Sequence, residues 1–319
     1  MGTARQRREV GSLEKPSFGI LLLQALPWRE LLERCRYVEK LGFDSVWVAD
    51  HLAAHSLWFD GWTLLAGLAA ATERIRIGAL VSSIAFHHPA LLARQALTID
   101  HISNGRLNLG VGAAGASQDH AAVGQEAWAV TERVERFREF VEALDRLLRN
   151  KTTSYSGRYY KIKEAVRPIP PVQSPRPPLT IAAHSPATLK IAAKYADTWN
   201  SLGYTMTSLR AMRGDEKFPV DMAFEDTRRR SLLLDKYAKK FGRDPRDIRR
   251  SFYFGFTPDA PFKSIENFRE VVRRYQQIGV KEFIFCWMPG NAETRSTNLI
   301  HDRAALERLA TEWIPSLQT

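Results

Sequence analysis

Apolar and polar positions in this chain follow two alternating patterns. Short continuous apolar runs give way to longer stretches in which apolar residues return every three or four positions. "FGILLL" (18–23) is of the first kind; "WRELLERCRYVEKLG" (28–42), closed by Gly42, is of the second. A continuous apolar run fits a strand covered on both faces, and the longer period fits an amphipathic helix. The pattern predicts further strands over 44–50, 74–81, 105–112, 178–183, 197–202, 250–256 and 280–287. Between and after them it predicts helices over 62–73, 89–103, 131–148, 185–196, within 228–250, 264–279 and 302–314. Pro89 opens the third helix, and Thr131 has the side chain of an N-cap for the fourth.

Eight strand–helix units imply a parallel sheet, and their number is that of a (β/α)8 TIM barrel. An open doubly wound sheet is the competing architecture. No GxGxxG follows the first strand, which argues against a dinucleotide-binding version of it. Two segments exceed ordinary connections and read as insertion loops. One is 150–178, with a hairpin turning at Ser156–Gly157 and then the polyproline-like "RPIPPVQSPRPP"; the other is 203–224. Residues 1–16 read as a flexible tail and 17–319 as a single domain.

Composition narrows the picture. The 319 residues are 45% hydrophobic and 25% charged, an ordinary globular balance. The only cysteines, Cys35 and Cys286, sit in apolar surroundings and read as buried thiols in a reducing compartment. No run is long enough to span a membrane, and the N-terminus lacks the apolar core of a secretory signal, so a cytoplasmic protein is expected. The formal charge of +11 concentrates in 228–250, where ten Lys/Arg face three Asp. That stretch reads as an amphipathic helix with a basic outer face, ending at "GRDPRD". A basic nucleic-acid-binding protein is the non-enzymatic alternative, though no aromatic-interleaved basic motif supports it.

Chemistry in a barrel gathers at the C-terminal ends of its strands. There stand Asp50 and His51 after the second strand, Ser82 and Ser83 after the third, and the "GVGAAGAS" glycines, with Gly112, after the fourth. Ala183, His184, Ser185, Pro186 and Ala187 follow the fifth, and Trp287 ends the eighth. His51 is the candidate acid/base, because imidazole titrates near neutral pH, with Asp50 to orient it. Its alternative role is a satisfied structural histidine. The pairs His51/His55 and His87/His88 lack a third ligand, so no metal site is assigned. Ser185–Pro186 opens a helix straight after a strand, which fits either a phosphate site on free backbone amides or a plain N-cap serine. Trp58, Phe86 and Trp287 are placed to wall a substrate site.

"RIRIGALVSSIAFHHPALLARQALTIDHISNGRLNLGVGAAG" and "RPPLTIAAHSPATLKIAAKYADTWNS" resemble the bacterial luciferase-like monooxygenases. The likeness runs well through residues 18–200 and in pattern beyond. It implies the TIM barrel and a reduced cofactor, FMN or the deazaflavin F420, delivered by a separate reductase where the cofactor is a flavin. It implies a small organic substrate, a homodimer packed through the early helices, and either monooxygenation or, alternatively, hydride transfer. It places His51 against the reacting part of the ring, with "ADHL" tilting toward the deazaflavin. A non-proline cis peptide falls near Leu80–Val81, beside Ser82 and Ser83, and the cofactor phosphate falls on 183–187. This chain departs from the pattern in two places. His184 replaces a frequent glycine, and the place of the dehydrogenases' catalytic glutamate reads "AAGASQD", with Asp119 later than that glutamate. The remaining rivals are a barrel aldolase or isomerase acting on a phosphorylated sugar and an inactive barrel.

Overall fold

A computed structural model describes residues 15–52, 59–202, 221–256, 261–288 and 299–318. Along the chain run β1 (Ser17–Leu22), α1 (Trp28–Lys40), β2 (Ser45–Val48), α2 (Gly61–Ala71), β3 (Arg76–Ala79), β4 (Ser82–Ser83) and α3 (Pro89–Ile102). Next come β5 (Leu107–Gly112), α4 (Ser117–Ala122), α5 (Val130–Arg149), β6 (Thr152–Ser156), β7 (Lys161–Val166), β8 (Leu179–Ala182) and α6 (Pro186–Tyr195). The chain closes with β9 (Thr198–Ser201), α7 (Met222–Lys240), β10 (Arg249–Tyr253), α8 (Ile265–Gln277), β11 (Val280–Trp287), β12 (Leu299–Ile300) and α9 (Arg303–Arg308).

Eight parallel strands pair in the order β1-β2-β3-β5-β8-β9-β10-β11, and β11 returns to β1. That last pairing runs from Ser17↔Glu282 to Leu22↔Trp287, so the sheet is a closed barrel rather than an open one. Alternation along each strand divides the core in two. One set of side chains packs outward under the helices: Phe18, Phe283 and Phe285 stack there with ring centroids 5.8 and 6.4 Å from Phe18. The other set fills the lumen, where Leu21, Trp47, Tyr253, Ile284 and Cys286 form a separate apolar cluster. Two polar contacts lie in the lumen: Trp47 Nε1 donates to Ser45 Oγ at 2.9 Å and Asn200 Nδ2 to Ser251 Oγ at 3.1 Å.

The sequence pattern places most elements within a few residues, and four details differ. α5 starts at Val130 with Ala129 at the N-cap, so Thr131 lies inside the helix and caps nothing. The basic helix spans 222–240 and stops there; Arg249 and Arg250 already belong to β10. Residues 254–256 leave the strand as a 3-10 turn. The final helix is regular only to Arg308 and widens into a π-helical turn over Leu309–Trp313. The expected hairpin is β6–β7, and its turn is set by one buried side chain. Glu139 accepts from the backbone N–H groups of Arg158, Tyr159 and Tyr160, and a Cβ on Gly157 would meet its Oε2 at 2.1 Å.

Candidate active site

The tip of β2 carries two histidine–carboxylate pairs, and they differ from the expected one. Asp50, 3% exposed, is bonded not to His51 but to His87, with Oδ2 2.7 Å from Nε2. His87 arrives on the loop before α3 and is sealed with it. His51 is instead held by Asp119 from α4, with Nδ1 2.5 Å from Oδ2. The other Asp119 oxygen accepts from the N–H of Leu52 at 2.9 Å, so this carboxylate fixes both the ring and the backbone beside it. A carboxylate only accepts, so the Nδ1 facing it donates, and Nε2 is the ring nitrogen that Asp119 does not engage. The imidazole is 42% exposed, whereas Asp119 is buried. Asp50 therefore orients His87, and the orienting role toward His51 passes to Asp119.

β3 ends in a bulge. The peptide between Leu80 and Val81 is cis, at the position the family resemblance implies. The chain then re-enters the sheet as β4, paired with Val111 and Gly112 of β5. The glycines of β5 are explained by this contact. A Cβ on Gly110 would lie 1.9 Å from the Ala79 carbonyl oxygen, and one on Gly112 would lie 2.4 Å from a Val81 methyl. Both are required by the bulge itself, whatever approaches it from above. Ser82 is turned away from the mouth: its hydroxyl accepts from Trp62 Nε1 at 2.9 Å and latches β4 to α2. Ser83 Oγ accepts from the N–H of Ala85.

After β8, Ser185 is the N-cap of α6 and makes a full capping box. Thr188 N–H donates to Ser185 Oγ at 3.2 Å, and Ser185 N–H donates to Thr188 Oγ1 at 3.1 Å. Pro186 has no N–H to offer. Of the first-turn amides expected to bind phosphate, the one at Ala187 is left by these bonds. Ala183 is buried, and its carbonyl accepts from Trp199 Nε1 at 2.8 Å. His184 is half-buried with its Nδ1 sealed and unpartnered. Burial first and the Arg230 charge second push its pKa down to about 3, so it is a neutral imidazole.

Trp287 does not wall the mouth. It faces outward from β11 with Phe283 and Phe285, is 5% exposed, and lies under the Arg34 guanidinium at 4.5 Å. The lumen side of the same strand end is Ile284, Cys286 and then Met288, with Leu80 and Leu202 beside them. Burial pushes the Cys286 thiol up to about 12, which makes it an inert apolar group. Phe86 packs against the main core, its ring 4.9 Å from that of His87. His55 and Trp58 lie outside the described residues. Among the described residues no group of three or more His, Cys, Asp or Glu is placed to hold a metal ion. No described helix is long and apolar enough to cross a membrane.

The basic stretch is largely spent internally. Arg228 pairs with Glu225 and Arg229 with Asp226 on the α7 surface, while Arg250 is buried against Asp235 and two backbone carbonyls. Arg243 donates to the carbonyls of Ala193 and Ala196 at the end of α6. A continuous phosphate-binding face is not what these cations build.

Sequence reading missed the roles of three residues here. Asp119 lies 67 residues from Leu52 on a short helix without apolar periodicity. His87 appeared only as half of a discarded metal pair. Arg230 was hidden among its basic neighbours, although an arginine beside buried Thr227 on an amphipathic helix is a visible signal.

The chain belongs to the luciferase-like monooxygenase family, whose model matches residues 9–309. It is similar to an F420-dependent glucose-6-phosphate dehydrogenase of Amycolatopsis mediterranei (strain U-32). The two are 33% identical over 194 residues, 58% of this chain and 55% of that enzyme. It is also similar to the oxygenase component of a flavin-dependent trigonelline monooxygenase from Acinetobacter baylyi (strain ATCC 33305 / BD413 / ADP1). There the identity is 27% over 216 residues, 64% of this chain and 57% of that protein. The chain thus spans little more than half the length of these two relatives. In fold it resembles an F420-dependent secondary alcohol dehydrogenase solved with an F420-acetone adduct, with a TM-score of 0.73 at 18% identity. That likeness covers 96% of this chain and all of that one.

Proposed function

We propose that the protein is an oxidoreductase that binds FMN or F420 across the C-terminal mouth of the barrel and acts on a small organic substrate. The observation that carries the reading is the His51–Asp119 pair, an open imidazole on a buried carboxylate, at the rim of the barrel. The residues suit such a cofactor. The apolar floor of Leu80, Leu202 and Met288 accepts a flat ring, and unpaired donors beside the β8–α6 turn accept an anionic tail. When bound, the reduced ring supplies two electrons, to dioxygen in a monooxygenation or as a hydride to an organic acceptor.

This chain's contribution is proton handling and exclusion. Asp119 holds Nδ1–H of His51 and directs Nε2 at the substrate, where it accepts or returns one proton as the redox step proceeds. Monooxygenation remains the principal reading, in line with the family. The carboxylate-held histidine favours hydride transfer on F420 as the second, because oxidation of an alcohol, with oxidised F420 as the hydride acceptor, releases a proton that a fixed base takes up. If the cofactor is FMN, a separate reductase supplies it in reduced form. We further place the enzyme in the cytoplasm as a homodimer. Fluorescence titration with FMN and F420, each oxidised and reduced, tests the reading. Saturable binding of one ring is expected, and absence of binding to all four forms overturns it.

A further inference from the structure

The lumen side of β11 ends in two sulfurs. Cys286 is 2% exposed, and its thiol donates to Met288 Sδ at 3.8 Å. The Tyr253 hydroxyl donates in turn to the Cys286 sulfur, so the lower end of this chain is closed. Met288 is the upper end. It is half-buried and packs, as Leu80 and Leu202 do, on the apolar lumen cluster. Its backbone is pinned on both sides. The N–H donates to the Ile300 carbonyl at 2.9 Å, and the carbonyl accepts from Arg34 Nη1 at 3.0 Å. A flexible thioether therefore hangs from a fixed point at the mouth.

The two sulfurs differ in chemistry. Peroxides attack a thiolate, and burial pushes the Cys286 thiol up to about 12, so it stays S–H. A thioether has no proton to lose, and its oxidation follows access rather than ionisation. Cys286 engages one side of the Met288 sulfur from below, and the side toward the mouth is not used by that contact. Where a reduced flavin meets dioxygen and no oxygen passes to a substrate, the two electrons and two protons leave as peroxide. Met288 lies on the floor where that would happen.

We propose that Met288 is an oxidation site through which unproductive turnover lowers the affinity of the mouth for its ring. A peroxide R–O–O–H formed at the mouth gives one oxygen to Sδ. The O–O bond breaks, an S–O bond forms, and the thioether loses two electrons. The remainder leaves as R–OH, which is water when the peroxide is hydrogen peroxide. The sulfoxide sets a polar oxygen beside Leu80 and Leu202, where the weak Cys286 S–H is the donor at hand, and the apolar floor is spoiled for a flat ring. Reduction of the sulfoxide restores the floor. The proposal rests on the flavin form of the reading above, and the test separates the two.

Oxidised and reduced FMN are first titrated into untreated protein, which tests the cofactor reading alone. Wild type is then cycled with reduced FMN in air without substrate, with catalase present to clear peroxide from bulk solution, and its peptides are mapped by mass. Met288 is expected to gain one oxygen, while Met222, half-buried at the start of α7, gains none. Protein oxidised in this way is expected to bind fresh FMN about 10-fold more weakly. Treatment with methionine sulfoxide reductase is expected to return the starting affinity. Met288→Leu, whatever its own affinity, is expected to keep it through the same cycling. Met288 left unoxidised while FMN binds, or oxidised no faster than Met222, overturns the proposal and leaves the cofactor reading standing. Undiminished FMN affinity once Met288 carries oxygen overturns it too. If neither form of FMN binds untreated protein, the flavin reading fails, and the proposal, without its oxidant, fails with it.

Discussion

Two histidine–carboxylate pairs stand on one rim a few ångströms of chain apart, and water reaches only one of them. In the His87–Asp50 pair both side chains are sealed, at 6% and 3% exposure, and the pair ties the β2 tip to the start of α3. In the His51–Asp119 pair the carboxylate is buried and the imidazole is open. The same two groups at nearly the same separation thus serve different ends. A sealed pair has no route for proton exchange and acts as a fastener; an open imidazole on a buried anchor is a positioned acid/base. Adjacency in sequence misleads here, since Asp50 precedes His51 and serves the other histidine.

Four measurements break or sharpen that contrast. His51→Ala is expected to lower turnover by about 10²–10⁴-fold while cofactor binding and melting temperature hold. Full turnover in this variant would make both pairs structural. Asp50→Ala leaves His87 unpaired in a sealed position and is expected to cost about 3 kcal/mol in denaturant unfolding. A loss below about 0.5 kcal/mol would remove the fastener role. Asp119→Asn is expected to reduce kcat by about 10–100-fold with little change in KM, the scale of one hydrogen bond to a charged group. Asp119→Glu should recover part of it, and an unchanged kcat would detach Asp119 from the chemistry.

The smallest effect concerns a histidine with no carboxylate at all. His184 is held neutral down to about 3, whereas the unfolded chain takes up the proton near 6.5. Its contribution to stability is therefore complete above about 6.5 and is lost progressively as the pH falls from there toward 3. The anion-free melting temperature should drop by a few degrees between pH 7.5 and 5, and the slope should flatten in His184→Gln. Equal slopes in the two proteins would refute this.

The barrel was legible because each of its strands is a short apolar run with a helical period after it. β1 and β11 read this way at once, and their pairing closes the ring. The cis peptide at Leu80–Val81 was legible only through family resemblance, as nothing local in "GALVSS" marks it. β4 and α4 escaped notice because two strand residues and six helical ones carry no measurable period. Trp287 was misplaced for an avoidable reason. It is two and four residues beyond Phe285 and Phe283, so the twofold period of β11 puts all three on the helix side. The partners of His51 and Asp50 were not legible, since they are 68 and 37 residues distant and depend on how loops fold over the rim.

The pairing of β1 with β11 also sets when this protein can finish folding. The first strand is made long before its partner, which lies some 265 residues further along the chain (Ser17↔Glu282, 282 − 17). Until then the growing sheet presents two open edges, at β1 and at the newest strand, each a template for pairing with a neighbouring chain. Ring closure is consequently a late, long-range event, and the nascent polypeptide is expected to need shielding during synthesis.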